Sequence, residues 1–244
     1  MILFYKVIVI FLITVSSSHA DIDQRLVFER LYSSVLDKPD PKSGDIVYEL
    51  DFSRAAAEAE NPTDWFSGKG FSSQFAEKIK LNFEYNGISF STNRSSLAIW
   101  GKDGDIPDAT KVIIQWGVIK YPRDANYDNN KKYSAISLNI AFGREKFSSG
   151  FPFVPSAPYF FSLFPGEKEP MGKFYKYKYW KNTSRHVCVS QGITEGELIT
   201  TEFNLKDNFT KIWNKNMPTI SGFLIAINSN AKSKAFIQKI SFLR

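Results

Sequence analysis

The sequence predicts an all-β fold, a two-sheet antiparallel β-sandwich of jelly-roll type with one or two short helices. Three observations predict it. Apolar and polar residues alternate with a period of two along many short segments, as expected when one sheet face is buried and the other is wet. Turn residues separate those segments without any strand–helix rhythm, which disfavours a parallel α/β sheet. Aromatic residues make up 16% of the 244-residue chain, with 22 Phe, 11 Tyr and 5 Trp, and such side chains suit a pleated, half-buried surface.

The elements follow in order. Residues 1–20 read MILFYKVIVIFLITVSSSHA: Lys6, an apolar run from Val7 to Val15, then serines, with Ser18 and Ala20 at the small-residue exit. That is the layout of a secretory signal peptide, too short to span a bilayer. Cleavage is expected between Ala20 and Asp21, leaving a periplasmic or secreted protein without a membrane span. Residues 21–36 suggest a weakly amphipathic helix, and DKPDPKSG at 37–44 reads as a linker. A single domain is expected over 45–244.

Within that domain, Ile46, Tyr48 and Leu50 alternate as a first strand, and RAAAEAE favours a short helix ended by Asn61-Pro62. Residues 78–92 predict a hairpin turning at Asn86-Gly87, a pair suited to the positive φ of a tight turn. Leu97 to Trp100 continues the pattern. Val112, Ile114, Trp116 and Val118 form one apolar face, and Ile136, Leu138, Ile140 and Phe142 another, with the polar loop YPRDANYDNNKK between them. Residues 147–172 carry many Phe, Pro and Gly and only a short run at Tyr159–Leu163. Strands are predicted at 173–180, 185–190 and 197–203. Asn204 caps a predicted helix over Leu205–Trp213, stopped by Asn216-Met217-Pro218. Two closing strands hold Phe223, Ile225 and Ile227, then Phe236, Ile240 and Phe242.

Net charge is +6, yet no Lys/Arg block is long enough to mark a nucleic-acid tail, and no nucleic-acid partner is expected. Cys188 is the single cysteine, so no disulfide forms within the chain. An exported protein without disulfides fits a bacterial setting.

The succession KVIIQWGVIKYP, YSAISLNIAFG, YKYWKN, TTEFNLKDNFTKIW, PTISGFLIAINS and AFIQKISF resembles the bacterial family known as domain of unknown function 3047. The likeness runs from Val112 to Phe242. It implies an exported protein of a Gram-negative bacterium and implies no particular activity. Where family members carry acids, this chain has Lys131-Lys132 and, later, Lys232 and Lys234, so a metal or polar site on those acids is not expected here.

Candidate chemistry concentrates in KFYKYKYWK. Read as a strand, it sets Tyr175, Tyr177 and Tyr179 on one face and Phe174, Lys176, Lys178 and Trp180 on the other. Tyrosine rows stack on sugar rings, and lysines attract carboxylates or sulfates. The candidate ligand-binding set is therefore Tyr175, Tyr177, Tyr179, Trp180, Lys176, Lys178 and, on the adjoining strand, Arg185. His186 and Cys188 lie two apart on one strand face, too far for a direct nucleophile–base pair, and a lone Cys among valines behaves as a small apolar residue. One Cys and one His beyond the leader cannot furnish a zinc site. Asp103, Asp105 and Asp108 are oxygen donors suited to calcium, but the twelve-residue calcium-loop pattern is absent and a charged turn is the preferred reading. No nucleophile elbow, P-loop or dinucleotide fingerprint occurs, and no catalytic residue, metal or cofactor is assigned.

These observations point to an exported binding module for a glycan or an envelope polymer. Two alternatives remain open. One is a lyase-like enzyme using His186, Arg185 and Tyr177. The other is an interaction protein of the envelope, which an exposed apolar patch around Phe151, Phe153 and Phe160 would favour.

Overall fold

The computed structural model describes residues 45–244. The expected leader at 1–20 and the helix and linker at 21–44 lie outside the described residues. In chain order the elements are β1 (Ile46–Asp51), α1 (Ala55–Glu58), α2 (Pro62–Gly68), β2 (Ser72–Gln74), β3 (Lys80–Glu84), β4 (Gly87–Ile106), β5 (Lys111–Lys120), β6 (Ser134–Phe147), β7 (Ala157–Gly166), β8 (Phe174–Tyr175), β9 (Ser184–Gln191), β10 (Ile199–Asn204), α3 (Leu205–Trp213) and β11 (Ile220–Leu243). The fold is mainly β, as the alternation predicts.

Two long strands, β4 and β11, run antiparallel to each other and pass through both layers of a sandwich. The first half of β11 pairs with β6, and β7, β9 and β8 extend that layer. Its second half pairs with β5, beyond which lies β10. On the other side, β3 borders the start of β4, β2 borders its end, and β1 pairs with the last residues of β11. Phe223 and Phe242 sit on the same strand, and a straight strand would hold them roughly 60 Å apart. Their rings lie 5.4 Å apart, so β11 folds over and its two halves face each other.

The fold line has a chemical signature. β11 leaves β6 at Asn228 and meets β5 at Lys234. Between them Ser229 pairs with Ser96 and Ser233 with Thr92, and all four hydroxyl residues are buried. Their side chains bond to nearby backbone: Ser229 Oγ donates to the Ala231 carbonyl at 2.7 Å and Thr92 Oγ1 to that of Arg94 at 2.9 Å. Local hydroxyl bonds of this kind satisfy carbonyls that a bent ladder frees. Strands that bend and switch sheets make the corners of a sandwich.

Between the layers sits a core containing Val112, Ile114, Trp116, Ile136, Leu138, Ile140, Phe142, Phe161, Ile225, Ile237, Ile240 and Phe242, all essentially inaccessible. Each such side chain contributes about 1.5–3 kcal/mol of apolar burial. Trp116 keeps its polar handle satisfied by donating from Nε1 to Thr201 Oγ1 at 3.1 Å.

Several local expectations change. The first short helix already stops at Glu58, where Ala59 turns extended, and Asn61-Pro62 instead begins α2: Asn61 Oδ1 accepts from Asp64 N at 3.0 Å and Pro62 takes the first turn, where its missing N–H costs nothing. The hairpin forms, but Glu84 pairs with Gly87. Its central residues are therefore Tyr85 and Asn86, with φ of 58° and 50°. Gly87 answers a different need, since a Cβ there would lie 2.1 Å from the Ile237 carbonyl oxygen. The two closing strands are one. β7 and β9 run parallel, a departure from the expected antiparallel sheet, because the chain between them, 167–183, crosses back over the layer before β9 begins. Parallel neighbours need a crossover of about this length.

Candidate functional site

That crossover holds the candidate residues. Only Phe174 and Tyr175 pair as a strand, against Val187 and His186 of β9; the predicted strand over 173–180 is otherwise replaced by an irregular path. A segment that must traverse a sheet face cannot also run along its edge.

The crossover covers a second, smaller apolar cluster of Tyr127, Phe164, Tyr175 and Cys188, on the face of the layer opposite the main core. Tyr127 comes from the polar loop after β5 and stacks on Phe164 with centroids 4.1 Å apart. Its backbone N–H donates to Glu169 Oε1 at 2.7 Å. Two lysines tie this loop to the crossover: Lys132 Nζ donates to the Lys176 carbonyl at 2.6 Å, and Lys173 pairs with Asp128 at 2.6 Å.

The tyrosine row is thereby divided. Tyr175 turns inward and is 8% exposed. Burial and the nearby Asp128 carboxylate both push its phenol above the ordinary range. Tyr177 is half-buried over His186, with centroids 4.8 Å apart, and burial pushes its phenol up to about 12. Tyr177 also contacts Trp180 at 5.4 Å and Tyr179 at 6.2 Å.

Trp180 links the crossover to the loop at 148–156. Its indole Nε1 donates to the Pro155 carbonyl at 3.0 Å, and its ring meets Phe160 edge-on at 5.8 Å. Tyr179 meets Phe151 from that loop at 5.1 Å and 90°. The loop is braced by Ser149 Oγ, placed to bond the carbonyls of Phe151 at 3.2 Å and Val154 at 2.9 Å. It presents Phe151 at 44% and Phe153 at 99% exposure, the latter with φ of 64°. A phenylalanine held at positive φ and wholly in solvent is an unusual arrangement. Phe151, Tyr177, Tyr179 and Trp180 thus form an aromatic rim flanked by exposed Lys176 and Lys178. Lys178 Nζ lies 5.4 Å from the Tyr179 ring centre.

Arg185 is not part of this rim. Successive strand residues face opposite ways, so Arg185 points to the main-core side. There its guanidinium lies 5.7 Å from the centre of the Trp213 ring and Nη1 donates to the Lys181 and Ser184 carbonyls. His186 points to the crossover side between Tyr127 and Tyr177. The lyase set of His186, Arg185 and Tyr177 therefore does not converge on one point. Burial, with the Lys132 charge beside it, pushes the His186 imidazole down to about 3. Cys188 is fully buried, its thiol pushed up to about 11 by burial, and Sγ lies 3.2 Å from each of the Glu169 and Ser190 carbonyls. Both side chains are neutral at pH 7.

The three aspartates considered for calcium do not gather. Asp105 binds Arg144 through both oxygens at 2.9 and 3.0 Å, and Asp108 pairs with Arg244 at 3.5 Å. Among the described residues no group of three His, Cys, Asp or Glu is placed to hold a metal, and no helix is long and apolar enough to cross a membrane.

Sequence reasoning named Phe151, Phe153 and Phe160 only as a separate apolar patch and missed that Phe151 adjoins Tyr179. It also missed Tyr127, whose alternation-free loop gave no burial signal.

No family model matches the chain, and no curated protein does. Among solved structures it is similar to the unliganded BiXyn10A CBM1, at 10% identity and a TM-score of 0.35, covering 82% of this chain and 99% of that one. It is also similar to the family 11 carbohydrate-binding module of the cellulosomal cellulase Lic26A-Cel5E of Clostridium thermocellum, at 12% identity and 0.31, covering 71% and 82%. A third is the family 29 carbohydrate-binding module CBM29_1 of Piromyces equi, at 9% identity and 0.30, covering 72% and 81%. Values this low leave the reading of the site to its own residues.

Proposed function

We propose that this protein is an exported, non-catalytic β-sandwich module that holds a glycan on the rim formed by Phe151, Tyr177, Tyr179 and Trp180. The observation that carries this reading is the meeting of two loops, tied by the Trp180–Pro155 hydrogen bond, to present half-buried and exposed rings side by side. The C–H face of a sugar ring is apolar and its edge is polar, and an aromatic ring with a solvated border matches both. The leader-like residues 1–20 support the exported setting. Kinship with the family of domain of unknown function 3047 belongs to the same proposal and rests on the order of motifs from Val112 to Phe242.

The test is a glycan array followed by calorimetric titration of any glycan retained. Tyr179→Ala and Phe151→Ala should each weaken binding by about 1–2 kcal/mol, roughly tenfold in Kd, with unchanged Tm. Absence of binding to every neutral and acidic glycan, or full binding by both variants, would remove the reading.

The complete exposure of Phe153 favours one second reading, a contact surface for another envelope protein. In that case Phe153→Ser would abolish partner capture while glycan retention stays nil.

A further inference from the structure

The two segments that build the rim share a compositional property with a physical consequence. Residues 147–166 contain no charged side chain at all, and residues 170–194 contain Lys173, Lys176, Lys178, Lys181 and Arg185 without one Asp or Glu. Lys173 is matched by Asp128, and Arg185 faces away against Trp213. Lys176, Lys178 and Lys181 remain exposed, with no acidic partner among the described residues.

Glu167, Lys168 and Glu169 stand between these two segments, and the acids of the loop beneath the crossover are already engaged. Asp124 pairs with Lys131 and Asp128 with Lys173. Glu169 is buried and accepts the Tyr127 N–H. Lys178 lies against the ring of Tyr179, so one ammonium group borders a stacking surface. A rim of aromatic rings bordered by uncompensated ammonium groups attracts negative charge and repels positive charge.

From this we infer that the ligand of the rim is an acidic polysaccharide, its rings set against Tyr179 and Phe151 and its carboxylate or sulfate groups facing Lys176, Lys178 and Lys181. This rests on the glycan-binding reading above and adds the ligand's charge to it. Exposed ion pairs are weak one by one, so selectivity arises from three of them acting together on a polymer.

The experiment measures binding of the full chain by affinity electrophoresis and calorimetry. Its probes are polygalacturonate and dextran sulfate, with xylan and galactan as neutral counterparts and single-stranded DNA as a polyanion without sugar faces like these. Measurements at 50 and 500 mM NaCl are paired with a Lys176→Gln, Lys178→Gln, Lys181→Gln triple variant. Its native fold is checked by Tm and near-ultraviolet circular dichroism. The expected result is retention on polygalacturonate or dextran sulfate, whichever of the two identifies the anion, weakened roughly tenfold by salt and by the triple substitution. Tyr179→Ala should weaken it further. Equal binding of xylan or galactan, insensitive to salt and to the triple variant, would overturn the inference and leave the glycan reading intact. No binding to any polysaccharide would overturn both. Stronger binding to single-stranded DNA, unaffected by Tyr179→Ala, would also overturn the inference.

Discussion

Replacing His186 with phenylalanine should make the protein less sensitive to acid without weakening it at neutral pH. His186 is 8% exposed, and neither ring nitrogen has a hydrogen-bond partner among the described residues. Its ring is packed by Tyr177 at 4.8 Å and Tyr127 at 5.3 Å. The imidazole titrates near its ordinary 6.5 in an unfolded chain and is held down to about 3 in the fold. Above pH 6.5 both states carry it neutral and it contributes no slope. As pH falls from 6.5 to 3 the unfolded chain binds a proton that the folded chain refuses. Stability then drops by about 1.4 kcal/mol per pH unit, on the order of 4–5 kcal/mol across the window. Below pH 3 the loss levels off. Phenylalanine preserves a packed aromatic ring and removes a buried N–H that meets no acceptor, a defect worth about 1–3 kcal/mol. His186→Phe should therefore match or exceed the wild type at pH 7. The assay is urea unfolding at half-unit pH intervals from 7.5 to 3, comparing the two proteins so that titration of the carboxylates cancels. Parallel stability curves for the two, or a variant weaker by more than about 2 kcal/mol at pH 7, would refute the reasoning.

Three further outcomes follow from the packing. Gly87→Ala places a Cβ 2.1 Å from the Ile237 carbonyl and should cost at least about 2 kcal/mol in chemical denaturation, whereas Gly68→Ala, with open space at its Cβ, should be neutral or stabilising by about 0.5 kcal/mol. Thr201→Val strands the Trp116 indole N–H in the core and should cost about 1–3 kcal/mol, read by the same measurement. The Cys188 thiol, buried and pushed up to about 11, should resist a thiol-reactive dye at pH 8 in the native protein and react at once in denaturant.

How much of this was legible beforehand depends on how local each signal is. Asn204 read as a helix cap does cap α3, its Oδ1 accepting from Asp207 N at 2.9 Å, because a cap is set within four residues. The alternation of Val112 to Val118 marks a buried face correctly, since side-chain direction follows from the strand itself. KFYKYKYWK shows the same alternation and is mostly not a strand. Its tyrosines satisfy the period, yet the chain must cross the layer to start β9 parallel to β7, and that demand comes from outside the segment. Asn86-Gly87 marks a real hairpin, while the need for glycine at 87 comes from Ile237, 150 residues away.

Read alone, the chain determined that the protein is built of strands, where most of them lie, how its last helix begins, and that aromatic and basic residues concentrate near 173–181. Only the tertiary structure decided that β4 and β11 fold over to make both layers. The same holds for Tyr175, which is buried while Tyr179 meets Phe151, and for Arg185 and His186, which part to opposite faces. The reason is physical: a period of two records whether a side chain is covered, but the energy of burial is non-directional. Which surface does the covering is settled only when distant strands pair.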